Sequence, residues 1–466
     1  MPTPVKIAVI GAGSATFSLG LVKDLCLTPN LNGSMIHMMD IDGERLEMIS
    51  QLAQRYSGEL GSKLEIERTT ERAVALQDAD FVINTAAARS HYHQVDMRKL
   101  IAKHGYYYSA NASVPGSYYN FQLMMDVVRD MEAICPDAWL IQSGNPVFSG
   151  CTLMTRNSDI KIVGLCHGHY GVYEIANVLG FEINSLKDLT WQAPGLNHNV
   201  WLTHFIYNGQ DAYPILNDWI ENQAEEYWLT HIPIRTHDIQ MSKGAIHQYK
   251  MFGLMPIGDT VRRGGWWYHT DLATKKLWFG DRFGGPDTEI ARPFYVKGLE
   301  EKLAKVNALI QDTSASVVET FGDQKTKEQQ VPIIDALTNN VEGEFEVNVP
   351  NNGALPGIPD DVVVEVPAII NKKGILPMHV EPLPAKIMYE AILPEWLDME
   401  RELLAFETGD RTQLVWNALN SPKTRTYEQA IGLMEDIMQM PGHEEVNDFF
   451  QYSNGEEALM LHKSLK

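Results

Sequence analysis

The run Val5-Lys6-Ile7-Ala8-Val9-Ile10, followed at once by Gly11-Ala12-Gly13-Ser14, constrains this chain more than any other stretch. A β-branched run that breaks on glycines, with Phe17, Leu21 and Leu25 at helical spacing behind it, reads as strand, turn and helix. Glycines at such a turn let the backbone approach a diphosphate. The helix behind them offers N–H groups and the positive end of its dipole. A second strand over Met35–Met39 ends in Asp40, where an acidic residue would hold ribose hydroxyls and favour NAD over NADP. Thr16 stands where the third glycine of the fingerprint belongs, so a tight strand–helix turn without a ligand is the alternative reading of this segment.

Strand-like runs recur at 64–68, 81–86, 139–142 and 160–166 with helical patterns between them. That alternation predicts an α/β fold, an N-terminal Rossmann-like doubly wound parallel sheet. Ligands in such sheets sit beyond the carboxyl ends of the strands, which nominates Asn84 and Asn145 for cofactor and substrate; each is equally readable as a turn asparagine. Beyond about residue 197 helices and short strands mix, with a helix through Leu299, Leu303, Val306 and Ile310 and strands at 345–349 and 362–366. The expected division is a dinucleotide-binding domain over 1–196 and an interlocked α+β lobe over 197–466. The segment 323–328 reads as the most mobile stretch, with a helix-terminal loop as the commoner alternative.

Charge excludes several roles. Thirty-eight Lys and Arg against 60 Asp and Glu give a net charge of −22, which repels phosphate backbones and anionic membranes. No stretch approaches the roughly 18 apolar residues of a membrane span. The N-terminal segment does not read as a secretory signal, and 4 cysteines in 466 residues are no disulfide framework. A soluble, cytoplasmic protein is expected.

One of those cysteines lies in an unusual setting, Cys166-His167-Gly168-His169, at the end of a strand. A thiolate and an imidazole suit a divalent transition metal, but adjacent residues rarely both reach one ion, so a second source is needed. Asn197-His198 offers it. The plainer alternatives are a buried structural thiol and a core histidine. Further on, Gly258-Asp259-Thr260-Val261-Arg262 supplies a candidate general base in Asp259 and a cation in Arg262 that could orient hydroxyls or a carboxylate. Trp266, Trp267 and Tyr268 offer faces on which sugars stack; a solvated Asp–Arg pair beside core tryptophans is the alternative.

Together, Gly11-x-Gly13-Ser14, Asn145-Pro146, Cys166-His167-Gly168-His169, Asn197-His198 and the motif 258–262 resemble glycoside hydrolase family 4, the NAD- and metal-dependent glycosidases outside the two-carboxylate scheme. The likeness runs nearly end to end and is greatest to the α-glucosidase branch, which carries Cys-His-Gly-His. The resemblance implies a lactate/malate dehydrogenase-like N-terminal fold. It makes Cys166 and His198 ligands of Mn²⁺, puts His167 beside the metal, gives substrate hydroxyls to Asn145 and makes Asp259 the base. NAD binding falls to Gly11, Gly13, Ser14, Asp40 and Asn84, and a homodimer or homotetramer is implied. One departure stands out: Ser117-Tyr118-Tyr119 replaces the relatives' Asp-Tyr-Tyr, removing from the Ser117 position both a hydroxyl acceptor and a repulsion against acidic sugars. An α-glucuronidase or α-galacturonidase is therefore the alternative within the family.

The chemistry implied is oxidation of the sugar at C3, loss of the acidified C2 proton to Asp259, elimination of the aglycone, addition of water and return of the hydride. Two readings from other classes stand beside it: a 2-hydroxyacid dehydrogenase, suggested by Asn84 and Asn145, and an NAD-responsive binding protein in which Cys166 and His198 are structural.

Overall fold

The computed structural model describes residues 2–107, 117–185 and 187–452. The predicted N-terminal pattern folds as strand β1 (Lys6–Ile10), helix α1 (Ala15–Cys26), β2 (Met35–Met39), α2 (Gly43–Glu59) and β3 (Glu65–Thr69). A short helix α3 (Arg72–Leu76) leads to β4 (Phe81–Asn84), α4 (His91–Lys103) and α5 (Tyr118–Ile134). Next come β5 (Trp139–Gln142), α6 (Val147–Asn157), β6 (Lys161–Gly164) and α7 (Gly171–Val178). These six strands are parallel in the order β3-β2-β1-β4-β5-β6, with Ile7 paired to Ile36 on one side and to Phe81 on the other. The order reverses between β1 and β4, and the crevice above that point is where doubly wound sheets take ligands. Residues 7–10 are almost wholly buried because helices cover both faces, which is why this strand reads as an unbroken apolar run.

The second half of the chain adds strands to the same sheet. β7 (Leu189–Gln192), β10 (His204–Tyr207) and β11 (Gln210–Asp211) form a separate antiparallel sheet of 3 strands. By contrast β8 (Gly195–Leu196), β9 (Asn199–Leu202) and β12 (Met255–Ile257) join β13 (Gly343–Pro350) and β14 (Val363–Asn371) in extending the main sheet beyond β6. β15 (Gly374–Pro377) pairs with β14. The seam is antiparallel, β13 against β6 at Asn348 and Gly164. Gly164 is required there: a Cβ would lie 2.6 Å from Val147, 2.8 Å from Cys151 and 2.9 Å from Asn348. One apolar core runs from the first strands through β13 and β14, and another gathers around α7, β9 and β12.

The helix predicted through Leu299 to Ile310 spans Ala291–Gln311. The segment 323–328, read as mobile, is instead tied down. Thr326 donates its backbone N–H to Asp24 at 2.7 Å and its hydroxyl to the same carboxylate, Lys327 lies 5.1 Å from the ring centre of Tyr173, and Glu328 faces His167. No helix among the described residues is long and apolar enough to cross a membrane.

Candidate active site

A cavity of about 1050 Å³ opens along the carboxyl ends of β1, β4, β5 and β6, from Ser14 and Phe17 at the glycine turn to Cys166 and His198 at the far end. At the near end Gly11 adopts φ +87°, and a Cβ there would stand 2.7 Å from the backbone of Ala86. A Cβ on Gly13 would meet the Asp40 carboxylate at 2.7 Å, the same oxygen to which the Gly13 N–H donates at 2.7 Å. The Gly11 approach that only glycine permits, the Gly13 contact with Asp40, and a helix whose first turn has no side-chain cap form a cradle that fits a diphosphate and a ribose. Ser14 and Thr85 line it.

Asn84 does not take the cofactor-facing position expected of it. It is fully buried, donating to Gln142 at 2.9 Å and accepting the Ala86 N–H at 3.2 Å. β4 and β5 run in register with Asn84 opposite Gln142, so the two amides satisfy each other inside the sheet. Asn145 and Ser117 do line the cavity. The hydroxyls of Ser117 and Ser149 hydrogen-bond the Glu402 carboxyl, whose pKa burial pushes up to about 7 against those bonds. A carboxyl group therefore stands at Ser117 after all, supplied by a distant helix.

At the far end the candidate metal ligands converge without closing a coordination shell. The Cys166 thiol is pushed up to about 12, by burial first and then by Glu365 and Asp259. His198, a non-glycine residue held at φ +65°, is depressed to about 4, chiefly by burial. Its Nε2 stands 3.4 Å from Asp259 Oδ2. Among the described residues no three His, Cys, Asp or Glu side chains already stand at metal-holding geometry. A thiol, an imidazole and a carboxylate facing one cavity are nevertheless a donor set that fits a transition metal. His167 lines the same cavity, largely exposed, with Nδ1 3.7 Å from Glu328. The last histidine of that motif, His169, is buried against Trp191 and stays out of the cavity.

Burial would raise the pKa of Asp259, but Arg262, His198 and His237 outweigh it and hold the carboxyl far below the ordinary range. Arg262 donates to Asp259 at 3.0 Å and to the buried Asp287 at 2.7 Å. The three aromatics after it do not line the cavity: Trp266 lies under the Arg425 guanidinium, 3.7 Å from the ring centre, and Tyr268 is buried with its hydroxyl 2.6 Å from His247 Nδ1.

Several cavity residues escaped the sequence reading: His237, Asp287, Arg98, Arg292 and Glu402. Glu365 escaped it too, although it carried a signal, a lone carboxylate inside the valine run 362–366. It is buried behind Cys166, accepts from Asn197 at 2.8 Å and Asn348 at 3.2 Å, and has its pKa pushed by burial to about 7.

Two family models match the chain: "Family 4 glycosyl hydrolase" over residues 6–181 and "Family 4 glycosyl hydrolase C-terminal domain" over 193–424. An α-glucosidase of Erwinia rhapontici is 26% identical over 410 residues, 81% of this chain and 85% of that one. An α-galacturonidase of Lachnoclostridium phytofermentans is 26% identical over 466 residues, covering 93% and 95%. A 6-phospho-α-glucosidase from gut microorganisms, solved in complex with NAD and Mn²⁺, superposes with a TM-score of 0.77 at 18% identity, covering 97% of this chain and 100% of that one.

Proposed function

The chain belongs to glycosyl hydrolase family 4, and from that premise we propose that it cleaves α-glycosides of the glucoside type with NAD and Mn²⁺ as resident cofactors. The observation that carries this reading is the single cavity joining the glycine cradle to Cys166, His198 and Asp259. The residues that would hold the dinucleotide are Gly11, Gly13, Ser14 and Asp40; Cys166 and His198 would hold the metal. When bound, the nicotinamide supplies a hydride acceptor for sugar C3, and the metal a Lewis acid for the carbonyl that results. We assign the dinucleotide to 1–196 and the metal-side lobe to 197–466, with the site between them; a homodimer or homotetramer belongs to the same proposal.

The chain's own residues do the rest. Asp259, kept ionised by Arg262, accepts the C2 proton, and the electron pair left at C2 expels the aglycone from C1. Asn145 and Glu402 stand where sugar hydroxyls can be held. His167, exposed to the cavity beside Cys166, is placed to exchange a proton with the leaving oxygen or the incoming water.

A second reading is an α-galacturonidase or α-glucuronidase. One observation favours it: Arg98, Arg262, Arg292 and Lys302 line the cavity, with Asp287 among them as a shared counter-charge. Such a wall suits a sugar carboxylate.

The test is a panel of p-nitrophenyl α-glycosides with NAD⁺, Mn²⁺ and a thiol reductant, run in deuterium oxide. Glucoside hydrolysis with deuterium entering C2 is expected. Hydrolysis of the uronides alone selects the second reading, and hydrolysis with no C2 exchange overturns the elimination chemistry.

A further inference from the structure

Arg262 stands between two acids. Its Nη2 donates to Asp259 Oδ2 at 3.0 Å, and its Nη1 donates to Asp287 Oδ1 at 2.7 Å. A guanidinium is a planar fork that prefers to grip one carboxylate with both prongs. Here each prong holds a different acid. Asp259 faces the cavity with its side chain 19% exposed, whereas the Asp287 side chain is 0% exposed and is also held by Arg98 at 3.3 Å. Lys275, fully buried with Nζ 3.3 Å from His269 Nδ1, belongs to the same cluster. Asp287 is thus buried with both guanidiniums on the same oxygen, Oδ1.

The consequence appears at Asp259. Its Oδ2 carries the Arg262 bond and lies 3.4 Å from His198 Nε2. Among the described residues its Oδ1 takes no guanidinium bond; it lies 4.0 Å from His237 Nε2 at the cavity wall. If both prongs closed on Asp259, Oδ1 would give one of its lone pairs to the guanidinium as well and would be a weaker base toward the sugar.

We propose that Asp287 is a positioning residue for the reaction: by holding the second prong of Arg262 it keeps the guanidinium monodentate on Asp259 and leaves Asp259 Oδ1 open as the atom that takes the proton. The proposal rests on the reading of Asp259 as the base.

The experiment compares wild type, Asp287→Asn, Asp287→Glu, Arg262→Lys and the Arg262→Lys/Asp287→Asn double variant, each loaded with NAD⁺ and Mn²⁺ and checked for a cooperative melt. Asp287→Asn is expected to lose about thirtyfold or more in kcat and in C2 deuterium exchange while KM stays within about threefold, the pattern of a lost transition-state interaction. Asparagine offers the prong only a neutral oxygen, a weaker acceptor than the ionised Asp259, whereas Asp287→Glu keeps a charged one and should retain kcat within about tenfold of wild type. A lysine ammonium is a point charge without a planar fork to turn onto Asp259, so Asp287→Asn should cost less than about threefold in the Arg262→Lys background. A crystal structure of Asp287→Asn should show Arg262 Nη1 moved onto Asp259 Oδ1.

A loss expressed in KM, an equal cost in both backgrounds, or an unmoved Arg262 overturns the proposal. Should Asp287→Asn fail to fold, Asp287→Glu decides: near-wild-type kcat and KM support the proposal, and a raised KM with unchanged kcat overturns it. A wild-type enzyme that shows no C2 exchange removes the reading of Asp259 as the base, and this proposal with it. Wild-type exchange that is unchanged in Asp287→Asn removes this proposal alone.

Discussion

Asn197 Nδ2 lies 2.8 Å from Glu365 Oε2, a buried bond that ties the turn carrying His198 to β14 in the middle of the extended sheet. The turn that carries the candidate metal ligand is thereby anchored to an almost wholly buried strand, although Asn197 and Glu365 are 168 positions apart.

Glu365→Ala should therefore loosen the candidate metal site as well as the fold. Removing the acceptor leaves the buried Asn197 and Asn348 amides without it, a cost of about 2 kcal/mol. The expected outcome is a lower melting temperature and a Mn²⁺ affinity weakened by about tenfold or more, as for other losses of support behind a ligand. Differential scanning calorimetry and a Mn²⁺ titration check it.

Metal affinity should rise with pH. Burial holds the Cys166 thiol protonated up to about 12 in the metal-free protein, so a metal must displace its proton on binding. Release of one proton predicts about a tenfold gain in affinity per pH unit below that value. Calorimetry in buffers of different ionisation enthalpy counts the proton, and Cys166→Ser should abolish both the release and the tight binding. Activity lost to a chelator should return with Mn²⁺.

Gly11→Ala should lose NAD⁺ binding while leaving metal binding intact. The added methyl would face the Ala86 backbone at 2.7 Å on a residue that needs φ +87°, and the cradle must open to admit it. A rise in Kd for NAD⁺ of about a hundredfold, or 2.7 kcal/mol, is expected in a fluorescence titration. An unchanged Kd would put the dinucleotide elsewhere.

Lys275 sets a pH dependence of stability. Burial, with Arg262 and Arg98 beside it, depresses its pKa from 10.5 to about 7 against the pull of Asp287. Between those values the unfolded chain binds the proton and the folded one does not, so this residue's contribution to stability rises as pH rises through that window. The slope approaches about 1.4 kcal/mol per pH unit. Lys275→Met should remove it, and urea melts of both proteins between about pH 7 and 8.5 read the difference directly.

Much of this was legible in the chain. Parallel strands buried on both faces need unbroken apolar runs, and helices between them need a 3.6-residue period, so the first half could be read element by element. Cys166, His198, Asp259 and Asn145 stood out because polar, metal-ligating or basic residues at strand ends and glycine turns have few structural uses. Asn84 misled for a register reason: a polar residue ending one strand is satisfied when its neighbour in the sheet is Gln142. Trp266 misled because an exposed ring looks the same in sequence whether it meets a sugar or Arg425. Ser117 looked like the loss of a carboxylate, yet Glu402 restores a carboxyl group through the Ser117 hydroxyl.

By itself the sequence determined the glycine turn, the alternation of strands and helices, and the kinds of side chain that end each strand. These follow from local sterics and periodicity, which act over a few residues. Only the tertiary structure decided which side chains share a charge or a hydrogen bond: Arg262 between Asp259 and Asp287, Asn197 on Glu365, Ser117 under Glu402. Those pairings join residues that are mostly far apart in the chain, and burial sets their strength. Neither the partner nor its desolvation exists until the sheet is assembled.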